Sequence, residues 1–420
     1  MRSFLLLLLL FLASCQAADV MLPLLGTPTA VPSPAPSPTA VGLATPLPYS
    51  QAGFAAFIGR ATASRNADRQ RLVNDYVAGL PQHPLASEGQ AAFLWRGAAQ
   101  SVALLGDMNS WQPELAWPLT RFEDTDTWYV QVEIPAGARL DYVFWVDGQR
   151  EVLDPLNPTT HLRPAGPRSE LAMPEYVPPA ELTADRTAAP RGTLTPHTLE
   201  SEALGQTRTF FVYQPAESAA SGRYPTLYVN DGSDYLSVVQ APSLLDWLIA
   251  TGEIEPVVVV FVPPIARTAE YDQNEAYAIF MAQELVPFIQ QTYGTELAPG
   301  RTAVLGVGLG GLQAVQTAVQ FPETLGLVAA HSADLARNDE VLTRRLRLQA
   351  TLPLRFHLVV GQFETDVDGR DVLLANQRFA SLLAEKGYVH TYHELPQGAS
   401  WGLWEAQFGQ ALRLFFPALQ

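Results

Sequence analysis

Between residues 206 and 416 the chain alternates two patterns. Short runs, most of them nearly continuous in Val, Leu and Phe, occupy 209–214, 226–230, 257–262, 302–307, 326–330, 355–360 and, with more polar residues, 389–395. Runs of that length and character predict strands buried on both faces. Between them, apolar residues recur at helical spacing over 241–251, 277–293, 311–320, 373–386 and 401–415. Strand and helix in alternation predict βαβ crossovers and a mostly parallel sheet, hence an α/β fold. Upstream, over 84–177, the pattern changes to alternating segments at 91–95, 101–105, 127–134 and 139–146, separated by Gly, Pro, Asn and Asp. That spacing predicts a small β-sandwich of immunoglobulin-like size. A Pro- and Ala-rich stretch at 178–205 reads as the connector between the two. Before the sandwich, within 51–83, Phe54, Phe57, Ile58 and Ala61, then Leu72, Tyr76 and Leu80, predict a helical hairpin turning near 66–68.

The N-terminus has a pattern of its own. Arg2 precedes an apolar run from Phe4 to Phe11, followed by Leu12, Ala13, Ser14 and Cys15. The run falls short of the about 20 residues needed to span a bilayer and fits a secretory signal. Leu-Ala-Ser-Cys resembles the lipobox of bacterial lipoproteins. The resemblance implies a signal peptide over 1–14, an acylated Cys15 and an extracytoplasmic chain anchored to the cell envelope. Gln16 does not decide which leaflet. Cys15 is the only cysteine, so it cannot form an internal disulfide. Residues 15–50 are rich in Pro, Thr, Ala and Ser and read as an extended spacer.

Composition changes the picture little. With 420 residues, 48 % hydrophobic and 16 % charged, the chain has room for two or three core-forming domains. A formal net charge of −16 without a basic cluster argues against a nucleic-acid partner. No phosphate loop, dinucleotide fingerprint or metal-ligand spacing is present, so no cofactor is expected. Asp366, Asp368 and Asp371 mimic part of a calcium loop, but with incomplete spacing.

The stretch from Arg301 to Gln316 carries the candidate chemistry. An apolar strand is followed by Gly306-Val307-Gly308-Leu309-Gly310-Gly311, then by Leu312, Val315 and Val319 at helical spacing. A strand, a tight glycine turn and a helix form the frame of G-x-S-x-G, in which a strained serine serves as nucleophile. Here the serine position is Gly308, which has no side chain to attack a carbonyl.

A series of further motifs accompanies it: Asn230-Asp231-Gly232 with Tyr235, Arg267 with Glu270 and Tyr271, Glu284-Leu285-Val286-Pro287, Phe321-Pro322-Glu323, Gly361-Gln362-Phe363-Glu364 and Tyr392-His393-Glu394-Leu395-Pro396. Together, over 206–420, they resemble the enterochelin-esterase-like (esterase D) branch of α/β-hydrolases. The segments Gly106-Asp107-Met108-Asn109-Ser110-Trp111 and Tyr142 to Gly148 resemble the N-terminal sandwich of starch-branching enzymes and the glycogen-binding module of the AMP-activated kinase beta subunit. The fold implied is an α/β-hydrolase domain with a mostly parallel sheet, preceded by an early-set-type sandwich.

The hydrolase resemblance implies a serine, a histidine and a carboxylate in that chain order. Glu364 holds the acid position. The histidine position, in the run Gln397-Gly398-Ala399-Ser400-Trp401-Gly402-Leu403-Trp404, is Ala399. Oxyanion donors would be the backbone N–H groups of Leu309 and of Gly232 or Ser233, and Arg267, Glu270 and Tyr271 would shape the cleft rim. The reading is a catalytically degenerate esterase-family lipoprotein that binds a ligand or partner in an emptied cleft. One alternative is an active ester hydrolase with a relocated nucleophile, for which Ser332, Ser400 and Ser233 are candidates, with His331 the histidine to watch and His393 as structural. The other is glycan binding by the sandwich through Trp111, although the second stacking position is Arg150 and the binding-lysine position is Val143.

Overall fold

A computed structural model describes residues 49–87, 89–219 and 222–418, which lie in one compact unit spanning 46–420. The expected signal, Cys15 and all but the last two residues of the expected spacer lie outside the described residues. Among the described residues no helix is long and apolar enough to cross a membrane.

The C-terminal body is built on an eight-stranded sheet. In chain order its strands are β1 (Thr193–Ser201), β2 (Gln206–Gln214), β3 (Thr226–Asn230), β4 (Val258–Val262), β5 (Thr302–Val307), β6 (Leu327–His331), β7 (Arg355–Gly361) and β8 (Val389–Leu395). Their spatial order is β1-β2-β4-β3-β5-β6-β7-β8, antiparallel at β1/β2 and β2/β4 and parallel elsewhere. The seven strands expected from the sequence are all present. The eighth, β1, lies inside the stretch expected to be a connector, so the hydrolase body begins at 193 rather than 206. Its exposed, Thr-rich residues and Pro196 have the composition of a linker, and also of an edge strand, where a missing N–H costs no ladder bond.

Alternate residues of the central strands feed two cores, as a period of two requires. Val258, Val260 and Val262 pack with the helices Leu309–Gln320 and Val372–Glu385. Val257, Val259 and Phe261 pack with Ala241–Ala250 and Trp401–Phe415 on the other face. The helix expected over 277–293 is interrupted: Glu275–Ile279 and Val286–Tyr293 are joined by a π-helical turn, Phe280–Leu285. Pro287, which has no N–H for a regular α-helical bond, stands just after that turn. Three helices were not expected from the sequence: the short turns Gly232–Ser237 and Arg267–Tyr271, and Arg337–Leu348, which is strongly polar overall and buries Leu342, Thr343 and Leu346 along one face.

The N-terminal sandwich has one sheet of Leu85–Ser87, Gln90–Arg96, Thr127–Glu133 and Thr120–Arg121, and a second centred on Val102–Gly106, Arg139–Val146 and Arg168–Ala172. Phe93, Leu104, Tyr142 and Phe144 fill it. The helices Gln51–Ala63 and Asn66–Ala78 form the expected hairpin and pack Phe54, Phe57 and Tyr76 against Leu94 and Phe122.

Sandwich and hydrolase body meet through the loops that carry the candidate chemistry. Ser110 Oγ donates to the Phe363 carbonyl (3.2 Å) and Gln112 Nε2 to the Asp366 carbonyl (2.7 Å). Phe363 packs on the sandwich core. Gly398 lies against Asp107, and Gly402 lies against the Arg139 guanidinium so closely that a Cβ there would overlap it. Arg139 and Arg163 are held by Asp141, Glu170 and Asp107, a charge network buried at this junction. The sandwich therefore braces the acid and base loops.

Candidate functional site

Strand β5 ends at Val307, and the helix Leu309–Gln320 starts two residues later. The corner between them is Gly308, with φ 55° and ψ −120°, a conformation that strains any residue with a Cβ. The Gly308 N–H donates to the His331 carbonyl (3.0 Å), and its own carbonyl accepts from Leu312 (3.0 Å) and Asp334 (3.1 Å). The neighbouring glycines are needed for close packing. A Cβ on Gly306 would overlap the Gly310 carbonyl, and one on Gly310 would fall 2.8 Å from Asp231 Oδ2. At Gly308 the space is open, and the nearest atom to a Cβ would be Arg267 Nη2 at 3.8 Å. The corner has the shape and the room for a side chain and carries none.

Glu364 follows β7 and is 1 % exposed. Its Oε1 accepts from Ser332 Oγ (2.7 Å) and from the Gly361 N–H (2.7 Å), while Oε2 has no hydrogen-bond partner. Trp404 Nε1 in turn donates to Ser332 Oγ (2.8 Å). Burial pushes the Glu364 carboxyl up to about 7, against the two donors that pull it down, and nearby Asp107 adds to the rise. Glu364, Gly308, Leu309, Ala399, Ser332 and Trp404 line one cavity of about 260 Å³, and its lining contains no histidine.

Arg267 closes one side of the cavity. It makes a bidentate pair with buried Asp231 (2.7 and 2.9 Å), and Nη2 also donates to the Val307 carbonyl (3.1 Å). The other two expected rim residues are not at the rim. Glu270 is buried, paired with Arg208 (2.8 Å) and capped by the N–H groups of Ile265 and Ala266. Tyr271 is fully buried, and its hydroxyl accepts from the Asp231 N–H (3.0 Å). Both brace the Arg267 turn from below. Of the three expected oxyanion donors, Leu309 is on the cavity. Gly232 is packed onto the backbone of β4 at Phe261 and Val262, and Ser233 is exposed; neither lines the cavity.

The mouth is lined by residues that spacing did not reveal. Arg370 pairs with Asp334 (3.0 Å) and Arg337 with Asp272 (2.8 Å). The partners of these pairs stand 36 and 65 positions apart, and only the fold brings them together. The calcium-like run does not converge: Asp371 caps the helix Val372–Glu385 and Asp366 accepts from the Gly369 N–H. Among the described residues no group of His, Cys, Asp and Glu is arranged to hold a metal ion.

The candidate substitutes for the missing groups are likewise accounted for. Ser332 is tied to Glu364 and Trp404, and Ser400 is buried on the base loop with its Oγ unpartnered. His331 is fully buried, both ring nitrogens lack partners, and burial holds it well below the ordinary imidazole range. Its ring lies against His357 (5.6 Å), which in turn meets His393 (5.9 Å). On the sandwich, the Trp111 ring is covered by the guanidinium groups of Arg163 (4.6 Å) and Arg168 (5.2 Å), and its Nε1 donates to Asp107 (2.8 Å). The aromatic expected to stack on a sugar is already stacked.

Comparison with known proteins agrees with this geometry. The sequence profile of the family described as "Putative esterase" matches residues 201–415. The uncharacterized protein YjcH of Bacillus subtilis (strain 168) is 26 % identical over 239 residues, covering 54 % of this chain and 98 % of that protein. The iron(III) enterobactin esterase of Escherichia coli O6:H1 is 25 % identical over 241 residues, 51 % of this chain and 60 % of that enzyme. Among solved structures, the ferric enterobactin esterase of Salmonella typhimurium superposes with a TM-score of 0.67 at 20 % identity, over 78 % of this chain and 93 % of that one. An enterobactin esterase of Shigella flexneri, solved with enterobactin present, gives 0.66 at 20 % identity, with 78 % and 92 % covered.

Proposed function

We propose, from the premise that the chain belongs to the Esterase family, that it binds an acyl-ester-like ligand in the family's cleft without cleaving it. The observation that carries this reading is the open corner at Gly308. The strained turn, the helix behind it and the buried acid survive, while the nucleophile and base positions hold Gly308 and Ala399. Loss of a nucleophile costs roughly a millionfold in turnover, and loss of the base adds little because the triad acts as a unit. A complete oxyanion hole alone would leave about 10³–10⁴ over water, an upper bound here because Leu309 lines the cavity and Gly232 and Ser233 do not. Removing two polar side chains also leaves room for a ligand where a covalent intermediate would otherwise form. The proposal extends to place: Cys15 and the spacer to residue 50 would hold this domain at the surface of a bacterial envelope membrane.

A second reading rests on Ser332. Its hydroxyl lines the cavity and donates to Glu364, so a serine and a carboxylate base do meet there. The Trp404 N–H on the same oxygen makes it a poorer nucleophile.

One experiment separates the two. The full chain and a Gly308→Ser/Ala399→His variant are assayed on a short p-nitrophenyl ester with a fluorophosphonate label alongside. A silent wild type and an active, labelled variant are expected. Turnover with labelling of Ser332 in the wild type would overturn the ligand-binding reading.

A further inference from the structure

The loops that meet at Ala399 leave three buried oxygen atoms without partners. They are Glu364 Oε2 on one loop, and Gln397 Oε1 and Ser400 Oγ on the other. The two loops are locked together, because the Phe363 N–H donates to the Gln397 carbonyl (3.2 Å) and Gly361 packs against that same carbonyl. Buried oxygens in a well-packed core find donors, and one left alone costs about 1–3 kcal/mol, more when it is charged. Glu364 is the informative case. Its Oε1 is doubly satisfied, its Oε2 is not, and the residue lines the cavity beside Ala399. Polar hydrogens are scarce on this wall. The Trp404 N–H is used by Ser332, and the Ser332 O–H is used by Oε1.

We propose that the Ala399 side of the cavity is a socket for a ligand nitrogen, an imidazole-type ring or comparable N–H donor that hydrogen-bonds to Glu364 Oε2. The proposal rests on the ligand-binding reading above and goes further by naming the ligand's polar group. A side chain that would have pointed an N–H at the acid has been replaced by a methyl group, which leaves both the space and the acceptor. A ligand bringing its own ring nitrogen restores a charge-assisted bond inside a cavity of about 260 Å³.

Charge at the site fixes the pH dependence. Facing Glu364 are Asp107 from the sandwich, Tyr392 from β8 and, around the same cavity, Asp334, Asp368, Arg267, Arg337 and Arg370. The arginines are each paired with a carboxylate, so the site is close to neutral apart from Glu364 itself. The complex of the carboxyl with an imidazole holds one proton between them. Below pH 7 both partners carry a proton and one must leave. Above pH 7 neutral imidazole keeps one N–H for the carboxylate, but the ring is no longer charged and the bond loses its ion-pair part. Binding is therefore strongest near pH 7 and falls on both sides.

The test uses imidazole as the probe, followed by ligand-observed saturation-transfer NMR on the full chain. Saturable binding with a maximum near pH 7 is expected, weakened about tenfold or more by Glu364→Gln. Ala399→Leu, which fills the space and leaves the acid, abolishes it, whereas Arg71→Ala on the N-terminal helix Asn66–Ala78 does not change it. A second readout is activity. Gly308→Ser alone has a nucleophile and no base, so its hydrolysis of p-nitrophenyl acetate rises saturably with imidazole above the solution reaction. Adding Glu364→Gln removes that saturable part. Binding that is absent at pH 7, or insensitive to both Glu364→Gln and Ala399→Leu, overturns the socket. If the Gly308→Ser/Ala399→His variant is nevertheless active over a silent wild type, only the ligand's polar group is wrong. Wild-type turnover would overturn the reading beneath it as well.

Discussion

Glu364 gives the most direct check on the site, because an isolated buried carboxyl must leave a mark on stability. Its ordinary value is 4.5, and in the folded protein burial pushes it up to about 7. Between those two values the unfolded chain releases the proton while the folded chain keeps it, so stability falls as pH rises. Below 4.5 both states hold the proton and the group is silent. Above 7 both have lost it, and the folded state bears the full cost of a buried carboxylate, about 3 kcal/mol. Glu364→Gln removes the titration. The variant keeps an oxygen for Ser332 and Gly361 and places an unpaired amide where Oε2 stands, costing about 1–3 kcal/mol at every pH. The quantity to read is therefore the stability gap between the two proteins across pH. Urea unfolding followed by tryptophan fluorescence supplies it, at half-unit steps from pH 4.5 to 8. The wild type should start as the more stable protein and lose about 3 kcal/mol relative to the variant, mostly between pH 5 and 7. Other buried acids, Asp107 among them, are common to both proteins and cancel in the difference to first order. A gap that stays flat across this range would refute the claim that Glu364 is buried without a partner for its charge.

The rest of the site yields sharper local tests. Gly308→Ser should fold and melt within about 1–3 kcal/mol of wild type, whereas Gly306→Ala, whose methyl would overlap the Gly310 carbonyl, should fail to give soluble folded protein; circular dichroism of the two decides it. Arg267→Ala strands buried Asp231 and should cost about 1–3 kcal/mol in urea, part of it recovered in the Arg267→Ala/Asp231→Asn double variant. Gly402→Ala pushes on the Arg139 guanidinium at the sandwich junction and should lower stability by about 1–3 kcal/mol while leaving far-ultraviolet dichroism unchanged.

What the sequence made legible follows from how each signal is carried. Strands β3 to β7 are apolar runs, β8 (VHTYHEL) is a more polar edge strand, and the glycines at 306, 308 and 310 mark a turn with one geometry, so most of the sheet and the corner could be read. Strand β1 could not, because an exposed edge strand with Thr at every second or third position has the composition of a linker. Arg267 was found lining the cavity. Its companions Glu270 and Tyr271 were not; a charge in a loop motif reads as surface until a buried partner such as Arg208 is seen. Asp231 stood inside a quoted motif but not as a site residue, and Asp334, Arg337 and Arg370 gave no signal at all. Asp334 and Arg337 share the segment after β6 and Arg370 lies on the loop after β7, and nothing in their local sequence distinguishes them from solvated residues.

On the function proposed above, the same contrast shows how the cleft would lose its chemistry and keep its form. The corner at Gly308 is stabilised from outside its own residue. Its N–H is held by His331, its carbonyl by Leu312 and Asp334, and its approach to the helix by the absence of side chains at Gly306 and Gly310. The acid is held in the same way, by Ser332, Gly361 and the sandwich residues Ser110 and Gln112 on its loop. None of these contacts uses a side chain at 308 or 399. Replacing serine with glycine at a positive φ relieves strain of about 1–3 kcal/mol. Replacing histidine with alanine removes the partner of a buried acid, which raises the cost of Glu364 at neutral pH. The first change stabilises the fold and the second weakens it. The acid's orphaned oxygen, with Gln397 Oε1 and Ser400 Oγ beside it, is therefore a feature of the cleft that packing alone does not explain, and it is the one to which the proposed ligand would add stability on binding.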